Sequence, residues 1–328
     1  MSFPKTLLEE EQSLNIFKEM LIDTLKVNKP IVQLKNIPQW MGFLNSIGLK
    51  NSKLDNCQTL LQHSYFYNFS SSITDIDLNS LSNDNSCQIQ LIPTIRSANN
   101  DSILSELGYV KIPSYVESYL ELENSLNCQL LQHLGSKKFR NIIRLTNVGR
   151  KHYDLNFYNW KDIGNDNGII KNFVKLHKYN TQKYNHSHNL FNYDSVNKLF
   201  KSKFRKNVII GLRSNKKNNE YVHGFIFIEC RKYSHIYLLA QGSRPNLVSN
   251  GTNLYITMFY ELFHYAYINN YSKIFLGRGN QLDKKNLGAN RFNVLNNWFL
   301  CNNNISRENL RQIKDKANII LENYRSLY

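Results

Sequence analysis

Residues 235–299 constrain this chain most, because they carry a definite order: strand, turn, long helix, strand, lysine-bearing loop, strand. Residues 235–240 are a short apolar run, closed by Gln241, Gly242, Ser243, Arg244 and Pro245. Asn250, Gly251 and Thr252 open a helix that continues through Ile268. Ile274, Phe275 and Leu276 form the next strand, followed directly by Gly277, Arg278 and Gly279. A loop with Lys284, Lys285 and the tripeptide Leu287-Gly288-Ala289 precedes the last strand. Such an order sets a helix start beside the ends of two strands, where an anionic activated donor can bind.

At 328 residues, with 41% hydrophobic and 12% aromatic content, the chain can bury one large core or two modest ones. No apolar run approaches bilayer-spanning length. The start, Met1 to Lys5 and then Glu9-Glu10-Glu11, lacks the pattern of a signal peptide, so the expected location is cytoplasmic. The five cysteines are widely spaced and odd in number, which reads as reduced thiols rather than a disulfide frame or a zinc site. His186 and His188 form a His-x-His pair with no cysteine or carboxylate to complete it, so no metal site is expected.

The net charge of +16 is unevenly placed. Residues 1–130 hold 9 Lys and Arg against 14 Asp and Glu, a balance of −5, which leaves +21 for residues 131–328. A basic C-terminal portion attracts RNA, DNA, an acidic membrane surface or a phosphate-rich carrier. An AT-rich coding sequence would also raise lysine, but it does not explain why the first 130 residues escape.

Helical spacing of Leu14, Phe17, Leu21 and Leu25 predicts a helix over 14–27, and a second is expected over 39–47. Residues 69–87 read as loop. Strands are expected at 88–92 and 109–112, each ended by a proline. Residues 114–134 read as a helix stopped by Gly135, with a second helix over 137–148 capped by Ser136 and ended by Gly149. A strand over 154–160 follows, and turn chemistry at 164–168 marks a domain boundary. Beyond it, residues 169–184 read as helix. Strands at 208–212, 221–230 and 235–240 have short connections and form an antiparallel meander. A last helix, capped by Ser306, carries Leu310, Ile313, Ala317, Ile320 and Leu321 as its apolar stripe.

The order of elements over 169–300 resembles the GNAT acyltransferase fold. The fuller similarity is to FemAB-like tandem-GNAT proteins, which include peptidoglycan-type aminoacyltransferases. Three pieces carry it: Lys137-Lys138-Phe139-Arg140-Asn141-Ile142-Ile143-Arg144, like that family's basic central helix; residues 260–267 with Asn269-Asn270-Tyr271; and Gly277-Arg278-Gly279, then Lys285, then Leu287-Gly288-Ala289. The similarity covers most of 105–300. Simple acetyl-CoA enzymes of this fold have a pyrophosphate loop like Q/R-x-x-G-x-G/A. The corresponding run here, from Arg244 to Thr252, has Gly251 as its single glycine. That leaves less room for backbone to close around a pyrophosphate, and favours a bulkier donor.

Acyl transfer to an amine requires a deprotonated amine, a polarised carbonyl and alignment of the two. Lys285, after a strand-end glycine pair, is placed to meet an oxyanion or phosphate. Glu261 and His264 lie three apart on one helix and can relay a proton, while Tyr260 can hydrogen-bond a substrate. Core packing is the competing reading for this aromatic-rich helix. Donor binding is expected from Arg244, Gly251, Thr252, Asn253 and Arg278. Lys137, Arg140, Arg144 and Lys151 share a helix face that can track phosphates of a nucleic acid, or simply be solvated.

The expected architecture is therefore α/β (α+β), with two GNAT-like units at 1–163 and 164–328. Each is a mixed, mostly antiparallel sheet flanked by helices. The expected activity is N-acyl transfer with no resident cofactor. The donor is aminoacyl-tRNA or an acyl-CoA or carrier-protein thioester, and the acceptor is an amine on a small molecule or peptide. A non-catalytic RNA-binding or interaction protein is the alternative from another class.

Overall fold

A computed structural model of the chain describes residues 105–106, 108–123, 125–164, 168–183, 191–249, 251–278, 280–301 and 307–322, and the strand backbone at 31–33, 57–60 and 89–93. The helices expected at 14–27 and 39–47, the loop at 69–87, the pair His186 and His188, and the cap Ser306 lie outside the described residues. The chain forms two compact units, one built from 3–117 and 293–328, the other from 118–292. The positions 164–168, expected as a domain boundary, fall within the second.

In the first unit, strands β1 (Ile31–Gln33), β2 (Cys57–Leu60) and β3 (Ile89–Pro93) are joined by the ends of β4 (Val110–Glu121) and β10 (Arg291–Cys301) that fall within it. β1–β2 and β3–β10 are antiparallel, and β2–β3 is parallel. Helix α7 (Arg307–Glu322) buries Leu310, Ile313 and Ala317, three positions of the expected stripe.

In the second unit the strand order is β4, β9 (Lys273–Arg278), β8 (His235–Ser243), β7 (Tyr221–Cys230), β6 (Val208–Asn215), β5 (Tyr153–Tyr158). The meander β6–β7–β8 is antiparallel, as its short connections require, and β8–β9 is parallel. Helix α1 (Leu126–His152) and α5 (Leu254–Ile268) pack together, while α3 (Gly168–Lys183) packs on β7 and β8. Short helices α2 (Trp160–Ile163), α4 (Tyr193–Lys201) and α6 (Gln281–Leu287) complete the unit. The sheet is mixed, mostly antiparallel and flanked by helices.

Three expectations need correction. Strand β4 does not end at Pro113 but runs on through residues 114–121, the stretch expected as helix. Val116, Glu117, Ser118 and Leu120 are all buried there, as on a strand covered on both faces, and the helix begins only at Leu126, after the Ser125 cap. Gly149 does not end α1. It is buried inside the last turn, where Cβ of a larger residue would approach Thr257 at 3.7 Å. The lysine-bearing loop is helix α6, entered through Asn280 at φ 51° and left through Gly288 at φ 122°. The break at Gly135 is real: its φ of 77° and ψ of 160° interrupt α1.

Helix α3 and strand β8 approach closely at Gly242. A Cβ at Gly242 would run into the carbonyl oxygen of Leu176 and the backbone of His177. Neither neighbour can move without shifting the helix. Gly242→Ala is therefore expected to lower stability by about 1–3 kcal/mol, read from the denaturant midpoint.

Candidate transfer site at the opening between strands β8 and β9

β8 and β9 are paired over three residues only: His235 with Lys273, Ile236 with Ile274, Tyr237 with Phe275. Both strands then continue, β8 to Ser243 and β9 to Arg278, without pairing to each other. The cause lies in β8. Phe227 pairs with Leu238 but Ile226 pairs with Ala240, so Leu239 is an extra residue, a bulge that bends its strand. Leu239, Ala240 and Gln241 are half-exposed, although β8 is an interior strand. The chain therefore holds an opening beside the bulge, with α5 rising from the loop that follows β8.

That loop is fixed from below. The Tyr153 phenol accepts the Ser249 N–H at 2.6 Å and donates to Ser249 Oγ at 3.0 Å. Tyr153, Val222 and Leu254 form a small buried cluster against which Leu247 and Val248 pack. Gly251, at φ 79°, has no atom within 4 Å of where a Cβ would stand. Thr252 Oγ1 donates to the Ser249 carbonyl, and Asn253 Oδ1 caps α5 by accepting the Ile256 N–H at 3.1 Å.

A buried polar row lies under the start of α5. Arg213 on β6 is 3% exposed and donates to Thr257 Oγ1. Burial, helped by the Arg150 charge, pulls its guanidinium down to about 10 while the Glu261 carboxylate opposes; it remains a cation at neutral pH. Its cross-strand partner is His223 on β7, 1% exposed, with Nε2 3.2 Å from Gln241 Oε1. Burial and the Arg213 charge depress this imidazole to about 3, so it is neutral. His223 Nδ1 and Thr146 Oγ1 are buried without a hydrogen-bond partner among the described residues. At the edge of the row Glu261 takes both Arg150 Nε at 2.9 Å and Arg150 Nη2 at 3.1 Å.

The residues singled out in the sequence are distributed as follows. Glu261 is held by Arg150. Tyr260 donates its hydroxyl to Asn127 Oδ1 at 2.9 Å, and its ring stacks on His264 at 6.3 Å. Arg244 pairs with Glu220 and lies over the Tyr179 ring at 5.4 Å. Arg278 ends β9, its side chain outside the described set. Lys284, next to the expected Lys285, is 5% exposed rather than solvated and donates to the Gly277 carbonyl at 3.0 Å, pinning α6 to the end of β9. Lys285 is half-buried, and its charge helps burial hold the imidazole of His133 on α1 below the usual range. Lys137, Arg140, Arg144 and Lys151 are all exposed along α1. Among the described residues no group of three or more His, Cys, Asp or Glu side chains could hold a metal ion. No helix there is long and apolar enough to cross a membrane.

Arg213, His223 and Arg150 carried no sequence signal. Arg213 and His223 sit inside strands and reach α5 only through the register of β6 and β7, while Arg150 reaches it through the packing of α1 on α5.

No family model matches the chain, and no curated protein matches it. Solved structures do. The C-terminal DUF2156 domain of an Agrobacterium fabrum protein named as a lysylphosphatidylglycerol synthetase aligns with a TM-score of 0.52 at 8% identity, over 82% of each chain. L-PGS from Bacillus licheniformis aligns at 0.52 and 10% identity, over 80% of this chain and 83% of that one. A tandem GNAT protein from the clavulanic acid pathway aligns at 0.41 and 9%, over 75% of each. At these identities the likeness is one of fold.

The neutral His223 ties stability to pH. Its folded pKa, about 3, lies below the ordinary 6.5, so between these values the unfolded chain binds the extra proton. Its contribution is whole above about pH 6.5 and is lost as pH falls through that window, at up to about 1.4 kcal/mol per pH unit. Urea midpoints measured at about pH 7 and pH 5 are expected to fall in the native chain, and to fall less in His223→Gln.

Proposed function

We propose that this chain is an acyltransferase that moves an acyl or aminoacyl group from an activated carrier to an amine. The observation that carries the reading is the opening beside the Leu239 bulge. There β8 stops pairing with β9, so an acyl-bearing segment can enter between the diverging strands while α5 begins at the anionic end of the carrier. The preferred donor is aminoacyl-tRNA. Its support is the charge of +16, the exposed cations Lys137, Arg140, Arg144 and Lys151 along one helix, and a loop before α5 with one glycine. The FemAB-like resemblance of the sequence points the same way. The name of one protein of similar fold, a lysylphosphatidylglycerol synthetase, also carries an aminoacyl group, lysyl. An acyl-CoA or carrier-protein thioester is the second donor in line, and a binding protein without chemistry the third reading.

In this scheme Lys285 offers its ammonium group to the developing oxyanion. Arg244, Gly251, Thr252, Asn253 and Arg278 border the donor. Tyr260 and His264, stacked on α5, with Glu261 held by Arg150, form the wall on which the acceptor amine is oriented and relieved of its proton.

Transfer from charged tRNA and from acyl-CoA to a panel of amines, followed by mass spectrometry of the products, separates the donors. Product from charged tRNA alone is expected. Product from neither donor, with RNA still bound, establishes the binding-protein reading. Lys285→Ala is expected to lower turnover by about 100-fold while the melting temperature moves little. RNA affinity should fall steeply with salt, and each of Lys137, Arg140, Arg144 and Lys151 changed to Gln should reduce the log–log slope by roughly 1.

A further inference from the structure

We propose a second binding site, for a nucleoside monophosphate or a ligand of that class, at the other end of strands β6 and β7 from Arg213 and His223. A cavity of about 390 Å³ opens there, lined by Asn159, Trp160, Lys161, Lys206, Arg231 and Tyr265. Ile209 also lines it, four residues before Arg213 and about 13 Å from it along β6. The site does not depend on the acyl-transfer reading.

The charges in the cavity decide what it would hold. Arg231 is already matched: its Nη2 lies 3.1 Å from Glu229 Oε2. Glu229 is 1% exposed and also accepts the Tyr265 hydroxyl at 2.6 Å. Lys161 and Lys206 make no ion pair among the described residues. Asp162, the carboxylate next to Lys161 in sequence, turns back to accept the Asn159 N–H at 2.7 Å. With Arg205 against Trp160, four cations stand against the two carboxylates Glu229 and Asp162, which leaves a balance of +2 at the cavity. A phosphate monoester, at about −1.5 to −2 near pH 7, matches that balance.

Size and walls add the rest of the ligand. The volume falls within the roughly 300–1,000 Å³ of ordinary small-molecule sites. A bare phosphate would leave most of it to water. Trp160 and Tyr265 supply aromatic surface, and the Arg205 guanidinium stands 4.9 Å from the Trp160 ring centre, which holds the indole in place. Stacking against such a wall is tolerant of the base, because every base has a π-face. Asn159 also lines the cavity, with its Oδ1 accepting the Lys161 N–H at 2.8 Å as the cap of α2.

The experiment is calorimetric titration of the full chain with AMP, inorganic phosphate and adenosine in turn. AMP is expected to bind more tightly than either fragment. The double variant Lys161→Gln/Lys206→Gln is expected to weaken AMP at least tenfold, whereas Arg150→Gln, on α1 with its charge acting on Arg213, should leave it within twofold. Both lysines are exposed, so the variant should keep its melting temperature; Lys206→Gln alone, with a smaller loss expected, repeats the test if it does not. Four results would overturn the proposal: no binding of AMP at millimolar concentration, phosphate binding as tightly as AMP, AMP affinity unchanged without the lysines, or equal loss in Arg150→Gln.

Discussion

One inserted residue governs the second unit. Leu239 is extra on β8, and just before it the parallel pairing with β9 ends, at Tyr237 and Phe275. A strand that loses its neighbour must place its backbone groups elsewhere, since a buried N–H or C=O without a partner costs free energy comparable to a lost hydrogen bond. The structure answers with side chains. The Gln241 carbonyl lies 2.8 Å from His177 Nδ1 on α3, and the Gly277 carbonyl accepts from Lys284 Nζ at 3.0 Å and from Ser118 Oγ at 3.4 Å. The buried Lys284 and the close contact at Gly242 are consequences of holding two strands apart. Divergence is thereby stabilised rather than merely tolerated.

The charge buried beside the opening obeys a related constraint. Arg213 is desolvated, and such a cation persists only with compensation. Thr257 meets one of its nitrogens and Glu261 supplies the nearby negative charge. Glu261 is in turn bridged by the half-exposed Arg150, so α1, α5 and β6 are linked by a charge sequence running from the core to the surface. Arg150 is the outer end of that sequence. It pairs with one carboxylate, and a guanidinium has donors to spare. Glu261 has both oxygens engaged, which makes it a positioning group for the two arginines before anything else.

Elements with one clear period were legible in the sequence. The meander strands are apolar runs bounded by polar turns, α3 carries Ile170, Phe173 and His177 on one face, and α5 is apolar almost throughout. The failures arose where two periods coexist. In residues 114–121, Val116 and Leu120 are four apart and satisfy a helix, yet Val116, Ser118 and Leu120 also alternate and satisfy a strand. Pairing decides between them, and pairing is not local. Helix α6 spans seven residues, too few for periodicity to speak. The helix α4 has Val196, Leu199 and Phe200 on its buried side, with Asn192 accepting the Ser195 N–H as its cap; that signal was present but brief. The polar row of Arg213 and His223 left no trace, because its members meet across strands and share no spacing along the chain.

The two ends of the β6–β7 hairpin have opposite electrostatic designs. Toward Arg213 the cation is buried, its carboxylate partner lies close by, and the neighbouring histidine is kept neutral. Toward Ile209 the carboxylate Glu229 is the buried member, covered by Arg231 and Tyr265, and the unmatched charges are exposed lysines. A buried cation in a preformed setting can act on charge that develops during a reaction, since its surroundings are already arranged. Exposed lysines over an aromatic wall are better suited to capturing a ligand that arrives already charged, because long-range attraction acts before contact. One hairpin thus carries a buried cation at one end and exposed lysines at the other. Val208, Ile210, Leu212, Phe225 and Phe227, all buried, separate the two ends.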